Sequence, residues 1–85
     1  MDDELDFMQN QLSDWKNKLN VKQNRLNMYR NFKFQILDLE EYSAKEKSIL
    51  LELNTLVFEF EMEVRQIETR IKFTEKEIES LARVV

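Results

Sequence analysis

An apolar residue recurs at every seventh position along almost the whole of this chain. Counted from residue 1, eleven of the thirteen positions at this spacing are apolar, and the exceptions are Lys22 and Ser43. A seven-residue repeat aligns its members along one stripe of an α-helix, which is typical of coiled coils. The chain is also 42% hydrophobic and 35% charged and contains no Gly or Pro, which favours long helices. The pattern predicts an all-α coiled coil without β structure.

A second apolar stripe accompanies the first but changes side. Its early members lie three residues before the main stripe, at Leu5, Leu12, Leu19 and Leu26. Its later members lie three residues after the main stripe, at Phe32, Leu39, Leu53, Phe60, Ile67 and Leu81. In a heptad, position a precedes position d by three residues. The main stripe therefore occupies position d in the early part of the chain and position a in the late part. This change predicts a phase shift in the coiled coil between Tyr29 and Leu39.

The polar segment around Ser43 is a candidate helix start. Ser43 and Glu46 have the Ser-x-x-Glu spacing of a capping box and precede an apolar run. We expect a single structural unit with a first arm at about 3–41, a break at 42–46 and a second arm at about 47–84. The alternative is one continuous helix, because a turn between helices usually contains Gly or Asn.

The charges beside the stripes bear on the direction of helix pairing. In an antiparallel arrangement centred on residue 43, the early stripes face the late stripes. Lys18 then lies opposite Glu68 and Arg25 opposite Glu61, with one repulsive pair. A parallel dimer, which the β-branched residues at late a positions favour, has one attractive and two repulsive pairs. Each exposed pair contributes about 0.3–0.5 kcal/mol. We therefore predict antiparallel pairing, either as a two-helix hairpin that assembles into a bundle or as a dimer of long helices.

Most residues of the two stripes form the predicted pairing seam. Side chains at a and d interlock with those of the facing helix, so these positions are expected to be covered. The predicted seam consists of Met8, Leu12, Trp15, Leu19, Leu26, Tyr29, Ile36, Leu50, Leu53, Val57, Phe60, Val64, Ile67, Ile71, Ile78 and Leu81.

Further apolar residues widen the seam into a collar around the middle of the chain. A helix that is apolar on several sides is usually buried by more than one partner. We therefore expect contact with a further helix through Phe34, Leu37, Ile49, Leu51, Leu56 and Phe58.

The absent residue types argue against catalysis and metal binding. The chain has no His and no Cys, so it lacks the commonest general base, thiolate nucleophiles and zinc-finger ligands. The absence of Gly also removes the loops that cradle phosphate groups. We predict no enzyme activity, no catalytic residues, no metal, no cofactor and no small-molecule substrate.

The charge balance argues against general binding to nucleic acids or membranes. The net charge is −4, from 13 basic and 17 acidic residues, whereas both partners require clustered cations. A basic stretch with aromatic residues at 16–33 suggests nucleic-acid binding, but the acidic second half offers a matching surface within the chain. Apolar runs are far shorter than the roughly 20 residues that span a bilayer. The acidic start at 1–4 is unlike a targeting signal, so we expect an intracellular, cytoplasmic or nuclear protein.

Two functions of different classes remain open. The first is a structural or scaffolding coiled-coil module that oligomerises or assembles with a partner, the partners being the chain itself and another helical protein. The second is a regulatory helical hairpin, a switch or inhibitor that opens to offer its central collar. The polar seam positions Ser43 and Glu46 favour such opening.

Overall fold

The structure, a computed structural model, describes residues 3–84 and consists of two long α-helices. Helix α1 spans Asp3–Leu37 and helix α2 spans Ala44–Val84. The six residues between them reverse the chain, so the helices pack side by side in opposite directions in a hairpin 63 Å long. The predicted all-α, antiparallel fold is confirmed, and no strand occurs at 3–84. Of the two antiparallel forms, the chain adopts the hairpin.

The chain reverses at 38–43 without a glycine. The amide of Asp38 donates to the carbonyl of Phe34 at 3.0 Å, and the amide of Leu39 donates to the carbonyl of Ile36 at 3.1 Å. This three-residue spacing tightens the last turn of α1. No residue at 3–84 has a positive φ. The end of α1 therefore needs no left-handed residue, which removes the objection that a chain without glycine cannot turn here.

The capping box at the start of α2 is confirmed. The hydroxyl of Ser43 accepts a hydrogen bond from the amide of Glu46, and the carboxylate of Glu46 accepts one from the amide of Ser43, each at 3.2 Å. These bonds satisfy two amides that a helix start leaves unpaired. The interruption spans 38–43, whereas the sequence pattern placed it at 42–46 and extended the first arm to about 41.

The core of the hairpin is a narrow seam between the helices. Its central cluster contains Leu26, Val57 and Val64, with Leu19, Tyr29 and Phe60 packed against it. The rings of Tyr29 and Phe60 lie 5.4 Å apart between centroids and are tilted by 40°, a geometry that aromatic pairs favour. Among the described residues, the buried hydrophobic side chains are Leu26, Leu53, Val57, Val64, Ile67 and Ile71.

Helix α1 keeps one heptad phase to its end. Lys33 and Ile36 are half-buried and continue the stripe that passes through Leu26 and Tyr29, whereas Phe32 is 45% exposed and Leu39 43% exposed. The assignment of Phe32 and Leu39 to the later stripe is therefore wrong. The phase shift lies in the connection between the helices, because each helix keeps a single heptad phase along its own length.

The ion pairs correct the predicted facing of charges. Arg30 contacts Glu61 at 2.8 Å, although the reflected sequence placed Arg25 there. Leu26 and Val57 occupy heptad position a, so Arg30 and Glu61, each four residues later, both occupy position e. In antiparallel helices e faces e and g faces g, so Arg25, at g, lies on the other side of the hairpin. Reflection by residue number alone did not distinguish the two sides.

Candidate interaction surface

The hairpin leaves many large apolar side chains exposed, mainly near the turn. Twelve large hydrophobic residues are exposed in the described part of the chain. Four of them lie toward the termini, and eight lie in the turn or in the adjoining helix segments 28–37 and 44–58. The eight are Met28, Phe32, Phe34, Leu37, Leu39, Ile49, Leu51 and Phe58. Because exposed apolar groups of this density normally mark contact surfaces, the turn half is the candidate site.

Four of these residues share one side of the hairpin, and we call them the loop-end patch: Phe34, Leu37, Leu51 and Phe58. Phe34 and Leu51 are each 68% exposed, and Phe58 is 62% exposed. Phe34, Leu51 and Phe58 occupy heptad position b, and Leu37 occupies the neighbouring position e. Positions b and e adjoin on a helix surface, so the four side chains flank the same edge of the seam.

A groove between the helices runs along the inner edge of the loop-end patch. Phe34 and Leu37 of α1 line it together with Val57 and Glu61 of α2, and Arg30 and Lys33 complete its wall. The patch therefore spans both helices. Leu37 and Leu51 lie on opposite sides of the turn, so within one chain they share a side because the chain folds back on itself.

The ion pair between Arg30 and Glu61 marks the end of the loop-end patch. The hydrogen bond from Arg30 lowers the pKa of the Glu61 carboxyl, partial desolvation opposes this shift, and the charges of Arg30, Arg65 and Lys33 lower the pKa further. Beyond this pair, the same side of the hairpin becomes a polar groove, whose lining includes Gln23, Asn24, Asn27 and Glu68. The side thus changes from apolar to polar at a single ion pair.

The opposite side of the hairpin carries a weaker apolar surface. Leu39 and Ile49 are less exposed than Phe34 or Leu51, and Leu56 is half-buried. Further from the turn, Lys22 lies 2.8 Å from Glu63 and 5.1 Å from the ring of Phe60. This side is therefore partly covered by the hairpin itself.

All sixteen residues of the predicted seam lie between the helices, and none is exposed. Six are the buried residues named above. The half-buried ones are Met8, Leu12, Trp15, Leu19, Tyr29, Ile36, Leu50, Phe60, Ile78 and Leu81. The six predicted contacts for a further helix are distributed differently: Phe34, Leu37, Ile49, Leu51 and Phe58 are exposed, and Leu56 is half-buried.

Thr74 is a buried polar residue of the seam that is absent from the predicted seam residues. It is 8% exposed, and its hydroxyl donates to the carbonyl of Arg70 at 2.9 Å. This internal bond satisfies the hydroxyl and allows its burial. The sequence feature that identifies Thr74 as a seam residue is its heptad position d, the position of Ile67 seven residues earlier.

The basic stretch of α1 is partly engaged within the hairpin. Lys22 and Arg30 pair with glutamates of α2. The ammonium of Lys18 lies 4.6 Å from the centroid of the Trp15 ring, and the guanidinium of Arg70 lies 5.8 Å from it, within the range of cation–π attraction. These contacts reduce the positive surface that a nucleic acid would require.

A second apolar surface lies on the outer side of α2, toward the termini. Met62 and Phe73 border a groove there, and Arg65, Gln66, Thr69 and Arg70 complete its lining. All of its residues belong to one helix. Elsewhere in the described residues, no group of three or more acidic side chains is arranged to hold a metal ion.

Comparison with known proteins finds no match to this chain among family models, curated proteins or solved structures. Neither described helix combines the length and the apolar character that crossing a membrane requires.

Proposed function

We propose that this chain is a non-enzymatic structural module that acts by helix-mediated oligomerisation. Its principal partner is the chain itself, and another helical protein is a further partner of the same kind. The loop-end patch is the observation that carries this proposal. Phe34, Leu51 and Phe58 extend outward from the seam and take no part in the buried cluster of the hairpin, so intramolecular packing gives no reason for three such side chains.

The surface area of the hairpin supports association. The chain exposes 6906 Å², whereas a globular monomer of its mass, 10.4 kDa, exposes about 5,400 Å². The excess of about 1,500 Å² exceeds the roughly 800 Å² that each partner contributes to a standard interface. The hairpin therefore exposes enough surface to form an interface of standard size on one side.

Sedimentation equilibrium over a wide range of concentration tests this proposal. We expect the wild-type chain to have a mass above 10.4 kDa and Phe58→Glu to return toward the single-chain mass with its helicity retained. Phe73→Glu is the matched control, because Phe73 is also an exposed phenylalanine of α2 (64%) but lies away from the turn. A wild-type mass that stays at the single-chain value throughout would contradict homo-oligomerisation.

A regulatory hairpin that opens to expose its collar is the second candidate. Its supporting observation is the uneven burial of the seam, because five of the six buried hydrophobic residues belong to α2 and only Leu26 belongs to α1. Because the other seam residues of α1 are only half-buried, the two helices separate at lower cost than helices joined by a sealed core. Exchange between monomer and oligomer on dilution would favour this switch, and an unchanging oligomer mass would favour the scaffold.

A further inference from the structure

We propose that a second copy of the chain docks on the loop-end patch, with a two-fold axis parallel to the hairpin and both turns at the same end. The product is a four-helix bundle in which α1 of each copy lies beside α2 of the other. This inference rests on the proposed function and specifies its partner, its surface and its direction.

The position of the exposed apolar residues selects the same-end arrangement. Eight of the twelve lie in or next to the turn, so two copies aligned at their turns place Phe34 and Phe58 of one against the corresponding patch of the other. With turns at opposite ends and the two hairpins overlapping along their full length, the patch would face the polar groove that contains Gln23 and Glu68. That pairing would bury unmatched polar groups against apolar side chains, which is unfavourable.

The charges around the patch are arranged to complement a copy of themselves. Arg30 and Lys33 lie on the α1 side of the groove and Glu61 on its α2 side. A two-fold axis brings the α1 side of one copy to the α2 side of the other, so each base approaches an acid rather than its own copy. A uniformly charged patch would repel itself in this position.

The helices extend this complementarity beyond the patch. Residues 15–37 of α1 contain six basic residues and no acid, and residues 48–63 of α2 contain four acids and no base. In the same-end bundle these segments are antiparallel neighbours between copies as well as within each copy, and the charges on the patch side, such as Arg30 and Glu61, face the second copy, whereas Lys22 and Glu63 pair on the opposite side. Charge complementarity of this kind fixes orientation and suppresses the alternative pairings.

Neutral polar residues border the loop-end patch. Asn27 and Asn31 of α1 and Asn54 and Thr55 of α2 are exposed around it. An apolar centre with a polar rim has the composition of a protein interface. The rim residues can exchange their hydrogen bonds with water for bonds to the copy.

A distance between two spin labels at the turn tests the arrangement. The chain has no native cysteine, so Glu40→Cys in the loop accepts one label per chain. We expect a mass of two chains and a label separation below about 30 Å, because both turns lie at one end of a bundle whose neighbouring helices are about 10 Å apart. Opposite ends would separate the labels by a distance close to the 63 Å length of the hairpin.

The outcomes separate this inference from the proposed function. A two-chain mass with a long label distance overturns the same-end bundle and leaves oligomerisation intact, whereas a single-chain mass overturns both. As a check on the surface, Phe58→Glu should raise the dimer dissociation constant at least about tenfold, as expected for a central aromatic anchor. Phe73→Glu should change it less than about twofold. Equal effects of the two substitutions would overturn the assignment of the patch.

Discussion

Tyr29 of α1 packs against Phe60 of α2, with ring centroids 5.4 Å apart. Both rings pack against the cluster that contains Leu26, Val57 and Val64, and Phe60 lies between Val57 and Val64 along α2. Since only six hydrophobic side chains of the described seam are buried, this cluster carries a large share of the contact that holds the hairpin closed. The loop-end patch lies between the cluster and the turn, so its geometry depends on that closure.

The first prediction concerns the buried cluster. Val64→Asp or Leu26→Asp places a carboxylate among apolar side chains, and we expect either to lower the free energy of unfolding by about 3 kcal/mol or more, which dissolves the assembly as well. Urea unfolding followed by circular dichroism measures the change. Gln66→Asp introduces the same group at an exposed position of α2 and should change stability by less than about 0.5 kcal/mol. Equal losses would show that the cluster is not central.

The second prediction concerns the capping box. Ser43→Ala removes the hydroxyl that accepts the hydrogen bond from the Glu46 amide, so we expect a loss of about 1 kcal/mol in the free energy of unfolding. Ser48→Ala is the matched control, because Ser48 is exposed inside α2 and alanine is the better helix former. If thermal and urea unfolding show the same effect for both substitutions, the capping role of Ser43 is wrong.

The third prediction concerns the pH dependence of the ion pair between Arg30 and Glu61. The hydrogen bond from Arg30 lowers the pKa of Glu61 below its ordinary value of 4.5. A pKa that is lower in the folded chain means that ionised Glu61 stabilises the fold above that ordinary value. This stabilisation is lost as the pH falls through the folded pKa.

Arg30→Gln should therefore move the pKa of Glu61 back toward 4.5, in part only, because Lys33 and Arg65 remain nearby. A nuclear magnetic resonance titration of the Glu61 carboxyl carbon measures the pKa directly. Arg83→Gln is the control, since it removes an ion pair with Glu79 at the far end of α2 and should leave the titration of Glu61 unchanged. An unaltered Glu61 pKa in Arg30→Gln would exclude Arg30 as the cause.

The features readable from the sequence are those set by one helix or one local motif. The stripe through Leu53, Val57 and Val64 identifies the buried face of α2 because a helix repeats its faces at fixed intervals. Ser43 and Glu46 identify the start of α2 because the capping box is formed within four residues. Neither feature depends on what the partner helix does.

Features that depend on how the two helices meet could not be read from the sequence. After Tyr29, the seam can continue three residues later at Phe32 or four residues later at Lys33, and the apolar side chain favours Phe32 in the sequence. In the structure Lys33 is half-buried and Phe32 is exposed, so the packing of α1 on α2 decides between them. The facing of Arg30 and Glu61 requires the side of each helix as well as its register. The bond from the Tyr42 hydroxyl to the Leu37 carbonyl, at 2.7 Å, requires the conformation of the loop.

The loop-end patch lies on a single chain only if that chain folds back on itself, and a distance between spin labels at Met8→Cys and Ile78→Cys in the same chain tests this most directly. Labelled chain is diluted into an excess of unlabelled chain, so that only distances within one molecule persist. We predict a short distance that survives dilution. A short distance that is lost on dilution would indicate an antiparallel dimer of long helices, and a separation of about 100 Å would indicate a continuous rod. Either result would contradict the hairpin and the patch built on it.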